Sequence, residues 1–308
     1  MNPQESRPWK AYTALGLGLI IIGFSAIFTR SANAPGPVVG FYRMAFGSLF
    51  MSIPFALNLR GKPKPPRRGI LLAMLAGALF GTDVAAWTSG VVISGATLPT
   101  LFVNTNPLWV GLGAWLIFRE RLTPGFWVGL AVAMAGAFIV FGADLSADTP
   151  LNQGGLLGLL AGFFYGIYFL VAQRGRARLD ATSFFFIGTL SSAITLLVIG
   201  LALGQPFSGY PSETWINFIL QGLIIQAAGW FLVSYAQGFL PASLVSPTLL
   251  GQPVITAIFA GPLLGESLRI TDILGGIIVL AGIFVVHRSR HVAQASEAKL
   301  PKGQAPAT

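Results

Sequence analysis

Residues 96–122 read ATLPTLFVNTNPLWVGLGAWLIFRERL, and residues 242–268 read ASLVSPTLLGQPVITAIFAGPLLGESL. A shift of 146 positions lays the first on the second without a gap, and the match continues to Val140 and Val286. Ala96 falls on Ala242, Leu98 on Leu244, Pro107 on Pro253, Ala114 on Ala260, Glu120 on Glu266 and Leu122 on Leu268. Further on, Gly129 meets Gly275 and Gly136 meets Gly282. Asn106-Pro107 becomes Gln252-Pro253, an amide ahead of a proline both times. Shared Leu and Ala carry little weight between apolar helices. The Pro–x12–Glu spacing, followed by two glycines at matching distances, carries more. We read an internal duplication, each copy an apolar helix with a mid-helix proline, a glutamate turn and a Gly-rich apolar helix.

The composition fixes the solvent. Of 308 residues 54% are apolar and only 9% charged, with mean hydropathy +0.73. So little charge cannot clothe a water-facing surface, and apolar runs of ~20 residues, long enough to cross a bilayer, recur along the chain. The sequence therefore predicts an all-α membrane protein with almost no room for a soluble domain. Cysteine is absent, which excludes disulfides, thiolate metal sites and cysteine nucleophiles. Both histidines, His287 and His291, fall after the last apolar run, so no histidine base or metal ligand is expected within the membrane. A formal charge of +9 would suggest nucleic acid in a soluble protein; here loop charge explains it, and no nucleic-acid partner is expected.

Ten spans are predicted, at 11–29, 37–59, 69–90, 95–118, 124–142, 154–172, 181–203, 215–237, 242–264 and 271–286. Ala32-Asn33-Ala34 has a faint likeness to a signal-peptidase site, but the preceding apolar run exceeds the ~7–15 residues of a signal core, so span 1 is kept as a retained helix. The linker 143–153, with Asp144 and Asp148, divides a first repeat, 11–142, from a second, 154–287; residues 288–308 form a polar, disordered tail. Placing both termini in the cytoplasm puts sixteen Lys and Arg inside and leaves only Arg30 and Arg269 outside, with Arg43 inside span 2. That bias orients the chain. Five spans per repeat is an odd number, so the second half enters the membrane inverted relative to the first. The architecture predicted is ten transmembrane helices in two inverted-topology five-helix repeats around a central cavity, the plan of alternating-access transporters. Glu120 then sits at the cytoplasmic face and Glu266 at the outer face.

Two five-span halves, each ending Pro–x12–Glu-x-Leu before a Gly-rich helix, resemble the drug/metabolite transporter superfamily, in particular its EamA-domain members. Gly265-Glu266-Ser267-Leu268 is similar to that family's Gly-Glu-x-Leu signature, while the first half departs with Arg119-Glu120-Arg121-Leu122. Arg43 matches an arginine common in span 2 of the family. The resemblance covers about residues 11–287 and within the family is greatest to the YddG-type bacterial inner-membrane exporters of aromatic and other neutral amino acids. It implies a cavity built mainly from spans 1, 3, 4, 6, 8 and 9.

Few residues could carry chemistry. Asp83 is the one carboxylate well inside a span, and burying it unpaired costs several kcal/mol, so it needs a partner, water or a proton. Arg43 lies at matching depth, about six residues below the outer end of span 2. Two readings follow: a structural ion pair between Arg43 and Asp83 locking spans 2 and 3, or Asp83 in the cavity holding a substrate amine or coupling proton. Pro99 and Pro107 in span 4, with Pro247 and Pro253 in span 9, would kink these helices around the cavity and shape its gates. Midplane amides are Asn104, Asn106, Gln226 and Gln252. Gln226, Trp230, Val233 and Gln237 share one helical face, as do Asp83 with Trp87 and Phe164 with Tyr168; Tyr165 lies beside the latter. An aromatic-walled cavity with a few amides suits neutral or zwitterionic solutes carrying apolar side chains. Phosphorylated substrates would want several intramembrane cations, and only Arg43 is available.

Spans 1 and 6 hold no acidic residue, and no Walker-type glycine loop exists. No cofactor, metal or ATPase subunit is implied. The lone aspartate leaves a membrane-embedded enzyme with no Ser/His, paired-Asp or metal-ligand set, and the duplication disfavours a simple channel. The reading is a gradient-driven secondary transporter of small molecules in the lipid bilayer of a bacterial inner membrane, most simply an amino-acid exporter. The alternative is an exporter of unrelated drugs or metabolites, proton-coupled through Asp83.

Overall fold

The computed structural model of the chain describes residues 8–94, 97–142, 153–264 and 270–298. Glu266, Asp144 and Asp148 lie outside them. Helices run through the described residues, and no strand occurs among these. In chain order they are α1 (Pro8–Gly23), α2 (Ser25–Arg30), α3 (Gly36–Leu59), α4 (Arg67–Ser94), α5 (Thr97–Val103), α6 (Asn106–Phe118), α7 (Pro124–Gly142), α8 (Gln153–Arg176) and α9 (Ala181–Ala202). Then follow α10 (Ser212–Leu220), α11 (Phe231–Ala236), α12 (Ala242–Thr248), α13 (Gln252–Leu264) and α14 (Ile270–Ala298). A π-helix, Gln221–Trp230, joins α10 to α11, and a 3-10 turn, Leu249–Gly251, joins α12 to α13. Among the described residues nine helical stretches are long and apolar enough to cross a membrane; a tenth, Pro124–Val140, is apolar but shorter.

The mid-span prolines act more sharply than a kink. Spans 4 and 9 are each interrupted, and the second half-helix begins at Asn106 in one and Gln252 in the other, one residue ahead of Pro107 and Pro253. Proline has no N–H to donate back along the helix, so the preceding carbonyls lose a partner. In span 4 neighbouring side chains replace it. Thr105 Oγ1 donates to the Phe102 carbonyl at 2.7 Å, and Asn106 Nδ2 to the Val103 carbonyl at 3.1 Å. Pro99 lies in the first turn of α5, where no N–H is needed, and Pro247 sits within α12.

Small residues bring backbones together, the usual basis of helix association in lipid. α7 and α14 cross antiparallel. A Cβ added at Gly129 would lie 2.7 Å from the Val286 nitrogen, and one at Gly136 would lie 2.5 Å from the Val279 nitrogen. α8 offers Gly158, Gly162 and Gly166, one turn apart, to Pro99, Phe102 and Trp109 of span 4. α4 lies on α9 through Gly77, where any Cβ would run into the Gly188 carbonyl.

The tail expected to be disordered from His287 is helical as far as Ala298, continuing α14. His287 is held there, with Nε2 2.8 Å from Thr248 Oγ1 and its ring 5.8 Å from that of Tyr12.

Candidate substrate site

Four rings meet in the middle of the bundle. Phe80 of α4 lies 4.9 Å from Tyr168 of α8 and 4.8 Å from Trp230 at the end of the π-helix, centroid to centroid. Tyr165 completes the group, 5.9 Å from Phe80 and 6.0 Å from Trp230. Beside them a cavity of about 20 Å³ is lined by Phe80, Tyr168, Trp230, Phe184, Phe185, Thr189, Ser192 and Gln226.

Asp83 lies one turn along α4 from Phe80 and is 4% exposed. No described residue donates a hydrogen bond to it; the basic group whose charge it feels is Arg43. Arg43 is equally buried, and Nη1 reaches Ser25 Oγ at 3.4 Å while Nε has no partner. No contact within 4 Å joins Arg43 to Asp83. Tyr165 and Tyr168 both lie within the field of Asp83. Asp83, Arg43, Tyr165 and Tyr168 thus form one electrostatic group bordered by Phe80 and Trp230.

The remaining polar residues divide. Gln226 is 2% exposed; its Nε2 reaches Thr189 Oγ1 at 3.3 Å and its Oε1 is buried without a partner. Trp87 donates to Thr100 Oγ1 at 3.0 Å, and Asn104 donates to the Thr100 carbonyl at 2.7 Å, so both serve the first half of span 4. Asn106 Oδ1 accepts from Ser246 Oγ at 2.6 Å, which ties span 4 to span 9.

At the end of the bundle carrying the basic loop 60–66, polar side chains join neighbouring spans. Glu120 accepts from Ser243 Oγ at 2.7 Å and from Gln173 Nε2 at 3.4 Å. Gln173 Oε1 accepts in turn from the Ala242 nitrogen at 2.6 Å. Spans 4, 6 and 9 meet there. Arg176, counted above among loop charges, is buried and bonded to the Ser234 carbonyl at 2.7 Å and to the Leu179 carbonyl. Nearby, Asp180 caps α9. Burial alone would raise its pKa, but the Ser183 N–H and hydroxyl, the Asn58 amide and the Lys62 charge hold the carboxyl below the usual range.

Sequence reasoning passed over Gln173, Thr189, Ser243 and Ser246, single polar residues in apolar runs. It also missed a polar rib toward the other end: Gln221 Nε2 donates to Asn217 Oδ1 at 2.7 Å, and Asn217 Nδ2 to the Phe28 carbonyl at 3.0 Å. The i, i+4 spacing of Asn217 and Gln221 was the available signal.

The sequence profile of the EamA-like transporter family matches residues 9–142 and again 152–288. An uncharacterized transporter of Archaeoglobus fulgidus is 22% identical over 89% of this chain and 95% of its own length. A riboflavin transporter of Rhizobium johnstonii is 27% identical over 72% of this chain and 74% of its own. A WAT1-related protein of Arabidopsis thaliana is 25% identical over 90% and 88%. A solved crystal structure superposes with a TM-score of 0.77 at 16% identity, covering 90% of this chain and 96% of that one, and so shares the fold. With two family matches that together span nearly the whole chain, relatives named as transporters, and helices of membrane-crossing length, this protein is a multi-pass membrane protein and belongs to the EamA-like transporter family.

Proposed function

We propose that the chain is a secondary transporter exporting neutral or aromatic amino acids, or similar zwitterionic metabolites, across a bacterial inner membrane. The observation that carries the reading is a pair of incompletely satisfied charges beside an aromatic cluster: Asp83 with no hydrogen-bond donor and Arg43 with Nε unpartnered. A zwitterion completes both, its ammonium toward Asp83 and its carboxylate toward Arg43. The rings take the side chain. Asp83 is also the group available to carry a coupling proton.

Alternating access by inverted repeats is supported by three features. The half-helices of spans 4 and 9 begin at residues related by the shift of 146, Asn106 and Gln252. The approach of Gly129 to Gly282 and that of Gly136 to Gly275 exchange under the same shift. Ser243 and Ser246, which bond Glu120 and Asn106, are the counterparts of Thr97 and Thr100. The matching contact of Thr100 with Gln252 is replaced: Thr100 accepts from Trp87 instead. This asymmetry is what a carrier closed at its basic, cytoplasmic end would have, with the opposite contacts reserved for the other state.

The test is counterflow in proteoliposomes with a panel of labelled amino acids at two pH gradients, with surface expression measured alongside. Saturable exchange that Asp83→Asn abolishes at normal expression supports the reading. Riboflavin belongs in the panel, because a relative is named for it and the ring cluster suits a flat heteroaromatic solute. Exchange of riboflavin without any amino acid would replace the amino-acid reading.

A further inference from the structure

We infer that the cavity beside Trp230 is the side-chain subsite of the transported solute and selects a ring bearing an N–H or O–H donor, with Gln226 as the specificity-determining residue. This rests on the transporter reading above and adds to it the chemistry of the solute's far end.

The cavity has mainly apolar walls, and Gln226 beside it carries a buried acceptor with no donor. Phe80, Tyr168 and Trp230 present rings to it, and Gly77 lets α4 sit against α9 so closely that no side chain fills the floor. Gln226 borders the cavity; one N–H of its Nε2 bonds Thr189 Oγ1, which leaves Oε1 for a further donor. That oxygen is buried and has no donor. The Ser192 hydroxyl already donates to the Gly77 carbonyl at 2.7 Å. A buried acceptor without a donor is unfavourable, and a ligand that supplies one gains what a ligand of equal shape without it does not.

The spacing fits a single solute. Gly77 lies six residues along α4 from Asp83, about 9 Å at 1.5 Å per residue. An amine at Asp83 therefore leaves a ring edge near Gln226. At about 20 Å³ the cavity holds roughly one water as it stands, so a ring enters only if Trp230 moves. Gln226 and Trp230 both lie on the π-helix, whose hydrogen-bond pattern differs from that of the flanking helices and which recurs at functional sites.

The experiment compares indole with benzofuran, nearly isosteric rings of which only indole donates, by stabilisation of the purified full chain against heat. Indole should bind about tenfold more tightly than benzofuran, the value of one added hydrogen bond. In Gln226→Leu the ratio should fall to about one through loss of indole affinity, with benzofuran unchanged; Gln226→Met gives the same readout if leucine prevents folding. Equal binding of the two rings to the unaltered chain, or a loss of both in the variants, overturns the inference. Binding of neither ring means that the cavity holds water only, which overturns it as well. Ring discrimination without amino-acid counterflow would remove the substrate reading and leave the subsite; counterflow without discrimination would do the reverse.

Discussion

Ser243→Ala removes the hydroxyl that donates to Glu120 at 2.7 Å where spans 4, 6 and 9 meet. Ser243 is fully buried and Glu120 half-buried. A hydrogen bond to a charged group contributes ~1.5–3 kcal/mol. Exposure of Glu120, and the Gln173 contact that survives, bring the loss to about 1–2 kcal/mol. At ~1.4 kcal/mol per factor of ten, the equilibrium between closed and open at this end should shift roughly 5–30-fold toward open. The chain has no cysteine, so one placed at Ala172, fully buried on α8 beside Gln173, reports alone. Its labelling by a membrane-impermeant maleimide should accelerate by that same factor of roughly 5–30 in Ser243→Ala, and only from the basic side. Adding Glu120→Gln should accelerate it by less than the two single changes combined, since both act on the Ser243 contact and only the weaker 3.4 Å Gln173 contact remains to be lost. By the repeat relation, Thr97→Ala should slow the same labelling by destabilising the opposite state. An unchanged rate in Ser243→Ala, or equal acceleration from both membrane faces, refutes the latch.

Two further outcomes follow from packing and charge. Gly136→Ala puts a Cβ 2.5 Å from the Val279 nitrogen and 2.7 Å from the Gly275 oxygen, backbone atoms that cannot swing aside. Thermal stability in detergent should drop by the equivalent of about 1–3 kcal/mol, the range for overpacking. Gly16→Ala, with nothing within 4 Å of its added Cβ, should be neutral or slightly stabilising. Asp180→Ala removes the cap of α9, worth about 1 kcal/mol at most for so exposed a carboxylate. The folded carboxyl titrates below its unfolded value of ~3.9, so its contribution is full above that pH and fades as pH falls through the folded value. The melting difference between unaltered and Asp180→Ala protein should therefore be full at neutral pH and close below about pH 4, read by melting curves across pH.

A bend in spans 4 and 9 was legible because proline lacks a donor wherever it stands, and the shift of 146 put one twice in the same place; that each span breaks there was not. The π-helix at Gln221–Trp230 was not legible, since nothing in its residues distinguishes five-residue from four-residue backbone bonding. The Glu120–Ser243 bond joins residues 123 apart, and only the hydroxyl match of Thr97 with Ser243 pointed to it. Asp83 is the instructive case. Its sequence context required compensation and left an ion pair or a cavity role open. Arg43 and Asp83 feel each other's charge without direct contact, each with bonding capacity unspent. In a static scaffold apolar side chains of similar volume at both positions would be as stable or more so, because buried charges recover their desolvation only when fully bonded. Two buried groups with bonding capacity unspent beside a ring cluster are what the proposed solute site requires, the solute supplying the missing donors and acceptors and then leaving.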